Sequence, residues 1–328
     1  MKVLVLGARG FAKIHLDSLS RLGVDISVFD RNQEALNEAR NDYSIADTYS
    51  DLGEALSSDA EVVDIVLPHN LHRDVSVTAF RKGKHVLIEK PIATTVHEAE
   101  EMVALAKQAG VKFMVSEQYY FDTTARWVID AVEAGKIGKL ITVVIRDQRL
   151  YQKNGWRSRK DLMGGGALID GGIHFVDTML NIGGEYSNVK SSVYHGCSSL
   201  EGEDTSVAIL DFKNGAHGLL LYTWSYPFSP KLPSFEVIGS EGSIVEDIQT
   251  HPKVDFKYMT GKRYAFGMPV LNGKTVELEL EDVFDRAIGG FIESVETGGD
   301  VPMKPELAIR DLSCVMDIYE KGNHPDRV

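Results

Sequence analysis

A carboxylate and an imidazole sit inside the densest run of glycines in the chain. Gly164-Gly165-Gly166-Ala167-Leu168-Ile169-Asp170-Gly171-Gly172-Ile173-His174 spaces the two titratable groups four residues apart. Glycines so close together let backbone approach a ligand. If the segment is helical from Ala167, Asp170 and His174 lie one turn apart on a shared face and can form an acid/base pair. Taken singly, Asp170 reads equally well as a helix cap and His174 as a hydrogen-bonded helix residue.

A second glycine cluster follows the first apolar run. Against the pattern G-x-G-x-x-G, the stretch Gly7-Ala8-Arg9-Gly10-Phe11-Ala12 has Arg9 and Ala12 in place of the second and third glycines. Either Gly10 restores the close backbone approach one residue later, so that helix N-terminal amides face a pyrophosphate, or Arg9 contacts a phosphate directly. The bare pattern also fits a strand-turn-helix without ligand. Asp30 adds weight, because a dinucleotide fold places a ribose-binding carboxylate roughly 20 residues beyond the turn, at the end of the next strand. Asp30 repels a 2′-phosphate and favours NAD, whereas Arg31 and Arg9 would permit NADP.

The elements that must position these groups show in the hydrophobic rhythm. Val3–Leu6, Val24–Phe29, Val62–Leu67, His85–Ile88 and Val111–Val115 read as strands, mostly in continuous apolar runs expected of a sheet covered on both faces. Between them, Phe11–Leu22, Asn70–Lys82 and Thr95–Ala109 read as helices. Carboxyl ends of such strands bind ligands, so Pro68, His69, His72, Glu89 and Lys90 join Gly7, Arg9, Gly10, Phe11, Ala12, Asp30 and Arg31 as candidate cofactor contacts. A further strand end carries Glu117 and Tyr119; with Trp156 and Arg157 these either shape a sugar pocket by stacking and hydrogen bonding or serve as core and interface residues.

Beyond Phe121 the rhythm changes. A helix over Thr123–Ala134 and a strand over Leu140–Ile145 precede two strands, Thr205–Phe212 and Ala216–Ser225, separated by an Asn214-Gly215 hairpin signal. Strands near 235–239 and 242–245 and helices over Val283–Glu296 and Glu306–Tyr319 complete the chain. The expected fold is α/β: a doubly wound parallel Rossmann sheet over residues 1–121, then a substrate-binding α+β domain with a large, mostly antiparallel sheet over 122–328.

Composition sets outer bounds. The 328 residues suit two domains, and a net charge of −13 disfavours a nucleic-acid partner, although a local basic pocket for one small anion stays compatible. Cys197 and Cys314 show neither disulfide nor metal-ligand spacing, so no metal is expected. Gly7–Gly10 ends the first apolar run too early for a secretory signal, and no segment reaches transmembrane length; a cytoplasmic protein with no membrane partner is expected.

The chain resembles the glucose-fructose oxidoreductase and inositol dehydrogenase family (Gfo/Idh/MocA) over nearly its whole length. Four stretches carry the resemblance: the glycine turn running on to His15, the proline-to-histidine stretch ending at His72, Glu89-Lys90-Pro91, and the glycine run ending in Asp170 and His174. Gly239-Ser240-Glu241-Gly242 looks like the family's late G-x-x-G turn. The resemblance implies that Lys90, Asp170 and His174 surround the substrate: His174 accepts a hydroxyl proton, Lys90 stabilises alkoxide charge and Asp170 orients the other two. His72 either lines the nicotinamide side or, with His69, is a polar residue at a helix start; His15 packs beneath the cofactor turn. The implied activity is hydride transfer between a nicotinamide cofactor and a sugar, inositol or polyol. Two alternatives are an enzyme that recycles a tightly held cofactor and a dinucleotide sensor without turnover. A homo-oligomer, dimer or tetramer, would cover the second domain's sheet.

Overall fold

Val3, Leu4, Val5 and Leu6 are fully buried, as a central parallel strand requires. In a computed structural model describing residues 1–322, they belong to β1 (Lys2–Leu6), flanked by β2 (Asp25–Phe29) and β4 (Val62–Ile65), both parallel to it. With β3 (Ile45–Tyr49), β5 (His85–Glu89) and β6 (Phe113–Ser116) they form one six-stranded sheet in the order β3-β2-β1-β4-β5-β6. The order reverses beside β1, which is the arrangement that opens a crevice for a dinucleotide. The connecting helices are α1 (Phe11–Leu22), α2 (Gln33–Asp42), α3 (Leu52–Leu56), α4 (His72–Arg81) and α5 (Val96–Ala109). Glycines in the left-handed region close α1 and α5, at Gly23 and Gly110, and Thr95 caps α5 through the Glu98 amide.

The second sheet has eight strands: β7 (Leu140–Gln148), β8 (Tyr186–Tyr194), β9 (Thr205–Phe212), β10 (His217–Thr223), β11 (Phe235–Gly239), β12 (Ser243–Glu246), β13 (Pro269–Leu271) and β14 (Lys274–Thr275). Their order is β14-β13-β12-β11-β7-β10-β9-β8, antiparallel except where β10 runs parallel to β7. Alternation divides its faces. Along β9, Ser206, Ala208, Leu210 and Phe212 are buried while Val207 and Ile209 are exposed. The helices here are α6 (Thr123–Glu133), α7 (Lys160–Met163) and α8 (Ile173–Gly183); α8 is buried nearly all round and packs on β7 and β10. Helices α9 (Val283–Thr297) and α10 (Pro305–Gly322) end the described chain.

Both halves of the expected fold class are present. By its internal contacts the chain forms one compact unit of Met1–Glu117 with Phe284–Ile309 and another of Gln118–Val283 with the described residues from Arg310. The sequence suggests one boundary near Phe121, whereas the chain passes between units three times. Only long-range contacts reveal the return: Phe284, early in α9, packs on Phe11 and His15.

Candidate active site

The glycine turn after β1 is shaped as a cradle. Gly7 has a φ of +115°, and a Cβ there would stand 2.7 Å from the Val66 carbonyl oxygen, so no other residue fits without movement. Gly10, at φ +63°, has open space where its side chain would be and precedes α1 without any side-chain cap. Ala12 and Lys13 donate their amides to the Arg9 and Gly10 oxygens at 3.3 and 3.2 Å, and with no side chain capping it the positive end of α1 is left to face an outside anion, such as a pyrophosphate. Ala12 is fully buried, and its methyl lies 3.5 Å from where a Gly7 Cβ would be, which explains a small residue at this step. Asp30 Oδ2 accepts from the Ala8 amide at 3.0 Å and Oδ1 from the Asn32 amide at 2.8 Å, tying the turn to the end of β2. These features fit a dinucleotide: an open helix end for its phosphates and a carboxylate at the ribose position.

Arg9, one of two sequence-based candidates for a phosphate contact, is turned toward α2. Its Nη2 lies 3.1 Å from Glu34 Oε2 and 2.9 Å from Glu38 Oε1. Arg31 is exposed and makes no ion pair among the described residues. Phe11 packs on Phe284, 6.4 Å between ring centroids.

Beneath the turn lies a cluster that sequence reading reached only in part. His15 is fully buried; its Nδ1 is 2.8 Å from Asp64 Oδ2 and its Nε2 is 3.0 Å from Glu89 Oε1. Burial pulls the imidazole down, but the two carboxylates outweigh it and push its pKa up to about 10. His15 is thus an imidazolium linking α1, β4 and β5. Asp64 was legible in principle, since a carboxylate inside Val62-Val63-Asp64-Ile65 needs a partner in a buried strand. His72, also fully buried, places Nδ1 2.8 Å from the Pro91 oxygen and Nε2 3.0 Å from the Leu67 oxygen. Burial lowers its pKa, so the neutral ring donates to one of these carbonyls. It ties the end of β4 to the Glu89-Lys90-Pro91 segment, in which Glu89 and Lys90 are buried. His69 is buried 5.6 Å from the His72 ring, just after Pro68, which opens that turn.

In the second unit, Gly164–Gly166 form a turn and the segment is helical from Ala167, but Leu168–Gly172 forms a π-turn before α8 begins at Ile173. Such wide turns are common where a site needs side chains re-aimed. The glycines are required by contact: a Cβ on Gly171 would overlap the Tyr222 hydroxyl, and one on Gly172 would reach Leu168 and Tyr222 within 3.0 Å. Glu203 braces the turn, its Oε1 accepting from the Leu168 amide at 2.8 Å and from the Tyr319 hydroxyl at 2.9 Å.

Asp170 and His174 are each held by a residue already singled out in the sequence. Arg157 Nε stands 3.2 Å from Asp170 Oδ2, and the Arg157 guanidinium lies over the Trp156 ring at 4.2 Å. Tyr119 stacks on His174 with centroids 4.5 Å apart and planes 13° from parallel. Stacking occupies the π-face of an imidazole and leaves its nitrogens in the plane for hydrogen bonding. The arrangement therefore supplies an ion-paired carboxylate and an oriented imidazole on one glycine-walled turn.

Comparison with known proteins follows this division. The family model described as "Oxidoreductase family, NAD-binding Rossmann fold" matches residues 1–117, and the one described as "GFO/IDH/MocA C-terminal domain" matches residues 125–245. A 1,5-anhydro-D-fructose reductase of Ensifer adhaerens is 28% identical over 247 residues, covering 74% of this chain and 73% of that protein. A levoglucosan dehydrogenase of Pseudarthrobacter phenanthrenivorans is 24% identical, covering 84% and 81%. A Thermotoga maritima oxidoreductase structure shares the fold with a TM-score of 0.86 at 22% identity, covering 98% of this chain and 96% of its own.

Proposed function

Since the chain belongs to the Gfo/Idh/MocA family of NAD-binding oxidoreductases, we propose that it transfers a hydride between the nicotinamide and a secondary alcohol or ketone of a sugar, inositol or related polyol. The observation that carries this reading is the π-turn, where Arg157 holds Asp170 and Tyr119 orients His174. The bound nicotinamide supplies the hydride acceptor. An unaided alcohol is a poor acid at neutral pH, so oxidation also needs a base for the hydroxyl proton. His174 takes that proton, Lys90 offsets alkoxide charge and Asp170 orients or tunes the other two, as the family resemblance implies. Trp156, Arg157 and Tyr119 act as positioning residues, while Glu117 contributes to the substrate side. Similar proteins include a scyllo-inositol 2-dehydrogenase (NADP(+)) of Bacillus subtilis, 27% identical over 74% of each chain, which supports a polyol substrate.

Asp30, Glu34 and Glu38 surround the ribose end with carboxylates and support NAD over NADP. Two free cysteines, and no described helix long and apolar enough to cross a membrane, support a reducing cytoplasmic setting. The exposed face of the second sheet supports a homo-oligomer. The test is a panel of sugars, polyols and inositols scanned for absorbance of the reduced cofactor in both directions. Turnover of at least one member is expected; none with either cofactor would overturn the reading.

A further inference from the structure

The chain has 48 acidic and 35 basic residues, so a cation on its surface would ordinarily be outnumbered by carboxylates. One cavity in the second unit reverses this balance. It encloses about 460 Å³ between the end of β7, the 226–234 loop and the 248–256 segment, and its walls include Tyr119 and Phe175. Tyr119 is the ring stacked on His174, and Phe175 follows His174 in the chain. The cations of the wall are Arg146, Arg149, Lys231 and Lys253; its carboxylates are Asp147 and Asp255.

Their pairing separates structure from function. Arg146 engages Glu236 at 2.5 Å and Arg149 engages Asp147 at 2.7 Å, so each arginine has a fixed counter-charge. Asp255 accepts from the Tyr151 hydroxyl at 3.2 Å. Lys231 and Lys253 come from different segments, are exposed, and make no ion pair or hydrogen bond among the described residues. Two like charges on one cavity repel unless an anion comes between them. A neutral sugar ring needs stacking surface and hydrogen bonds, which Tyr119, Phe256 and Tyr264 can supply from the same wall; it has no use for unmatched ammonium groups.

We propose that this cavity takes an anionic group of the substrate, a phosphate or carboxylate carried by the sugar, between Lys231 and Lys253. The volume is within the range of ligand sites and exceeds what one hexose ring fills, leaving room for the charged extension. This rests on the reading of Tyr119 and His174 as part of the substrate site.

The test titrates glucose, glucuronate, glucose 6-phosphate and UDP-glucose into the full-length protein with NAD present, by calorimetry, alongside the Lys231→Gln/Lys253→Gln double variant. Both lysines are exposed, and circular dichroism checks that the variant folds. At least one charged probe is expected to bind about tenfold more tightly than glucose, and that preference should fall about tenfold in the variant. A preference confined to glucuronate identifies a carboxylate, and one confined to the other two identifies a phosphate. Binding of every charged probe within threefold of glucose, or a preference that survives in the variant, overturns the proposal. Lysine-dependent binding without turnover of any probe or panel compound, in either direction and with either cofactor, upholds the anion site and overturns the dehydrogenase reading instead.

Discussion

An imidazole works as a base only when its ring is held with a nitrogen toward the proton it takes, and the 13° stacking of Tyr119 on His174 supplies that restraint. Replacing His174 by Ala should lower kcat by about 10²–10⁴-fold while leaving the KM for the cofactor within a few-fold, since the loss falls on proton removal rather than on dinucleotide binding. Steady-state rates within a few-fold of wild type would remove His174 from the reaction. Cofactor choice is decided at the same scale. Arg9 would be suited to a 2′-phosphate were it not engaged by Glu34 and Glu38, and Asp30 adds a third carboxylate at the turn. NAD should therefore exceed NADP in kcat/KM by tenfold or more. The Glu34→Gln/Glu38→Gln variant, which releases Arg9, should narrow that ratio, whereas equal use of the two cofactors by the wild type would refute the assignment. Arg9 also marks where sequence reading stops: the departure from the glycine pattern is visible, but partners 25 and 29 residues away are not.

The π-turn of Leu168–Gly172 depends on packing from outside itself. Glu203 receives the Leu168 amide and the Tyr319 hydroxyl, and burial pushes its carboxyl up to about 7 from its ordinary 4.5. A carboxyl whose folded pKa is raised contributes stability that is fully present below the unfolded value, and this is lost as pH rises through about 7. The unfolding temperature should thus fall between pH 5 and pH 8, with Glu203 contributing a change of up to about 3 kcal/mol. Glu203→Gln keeps both acceptor bonds and cannot ionise, so its melting curves should show a flatter pH dependence; equal slopes for the two proteins would exclude Glu203 as the cause. Elements with a clear apolar period were legible: Phe11–Leu22 and Thr205–Phe212 stand as read. Those that were not legible lack it. The edge strand β3, Ile45-Ala46-Asp47-Thr48-Tyr49, has no fully buried face, and α2 and β8 are mostly polar. The π-turn was beyond reach because its width answers to Tyr222 and Glu203, which approach it from other strands and loops.

Across the whole molecule, the charge surplus and the unmatched sheet face bear on how copies of the chain behave together. Helix α8 covers one side of the eight-stranded sheet, yet Val207, Ile209, Leu219 and Ile238 remain exposed on the other, with Leu219 opposite Ile209 across β9 and β10. Single exposed aliphatics are ordinary, but several on adjacent strands of one sheet make a continuous apolar patch of the kind a partner surface removes from water. A second copy offers the same patch, and a two-fold arrangement would bury both at once. The need for cover followed from the alternating pattern of the strands; which residues make the patch followed only from strand order and register. Light scattering after size exclusion should therefore give a dimer or tetramer for the wild type at micromolar concentration. Ile209→Lys/Leu219→Lys should shift it toward monomer without loss of secondary structure, because both side chains already meet solvent in the isolated chain and their replacement opens no core cavity. A wild-type protein that runs as a monomer would leave the patch without this role, and so would a double variant that keeps its assembly.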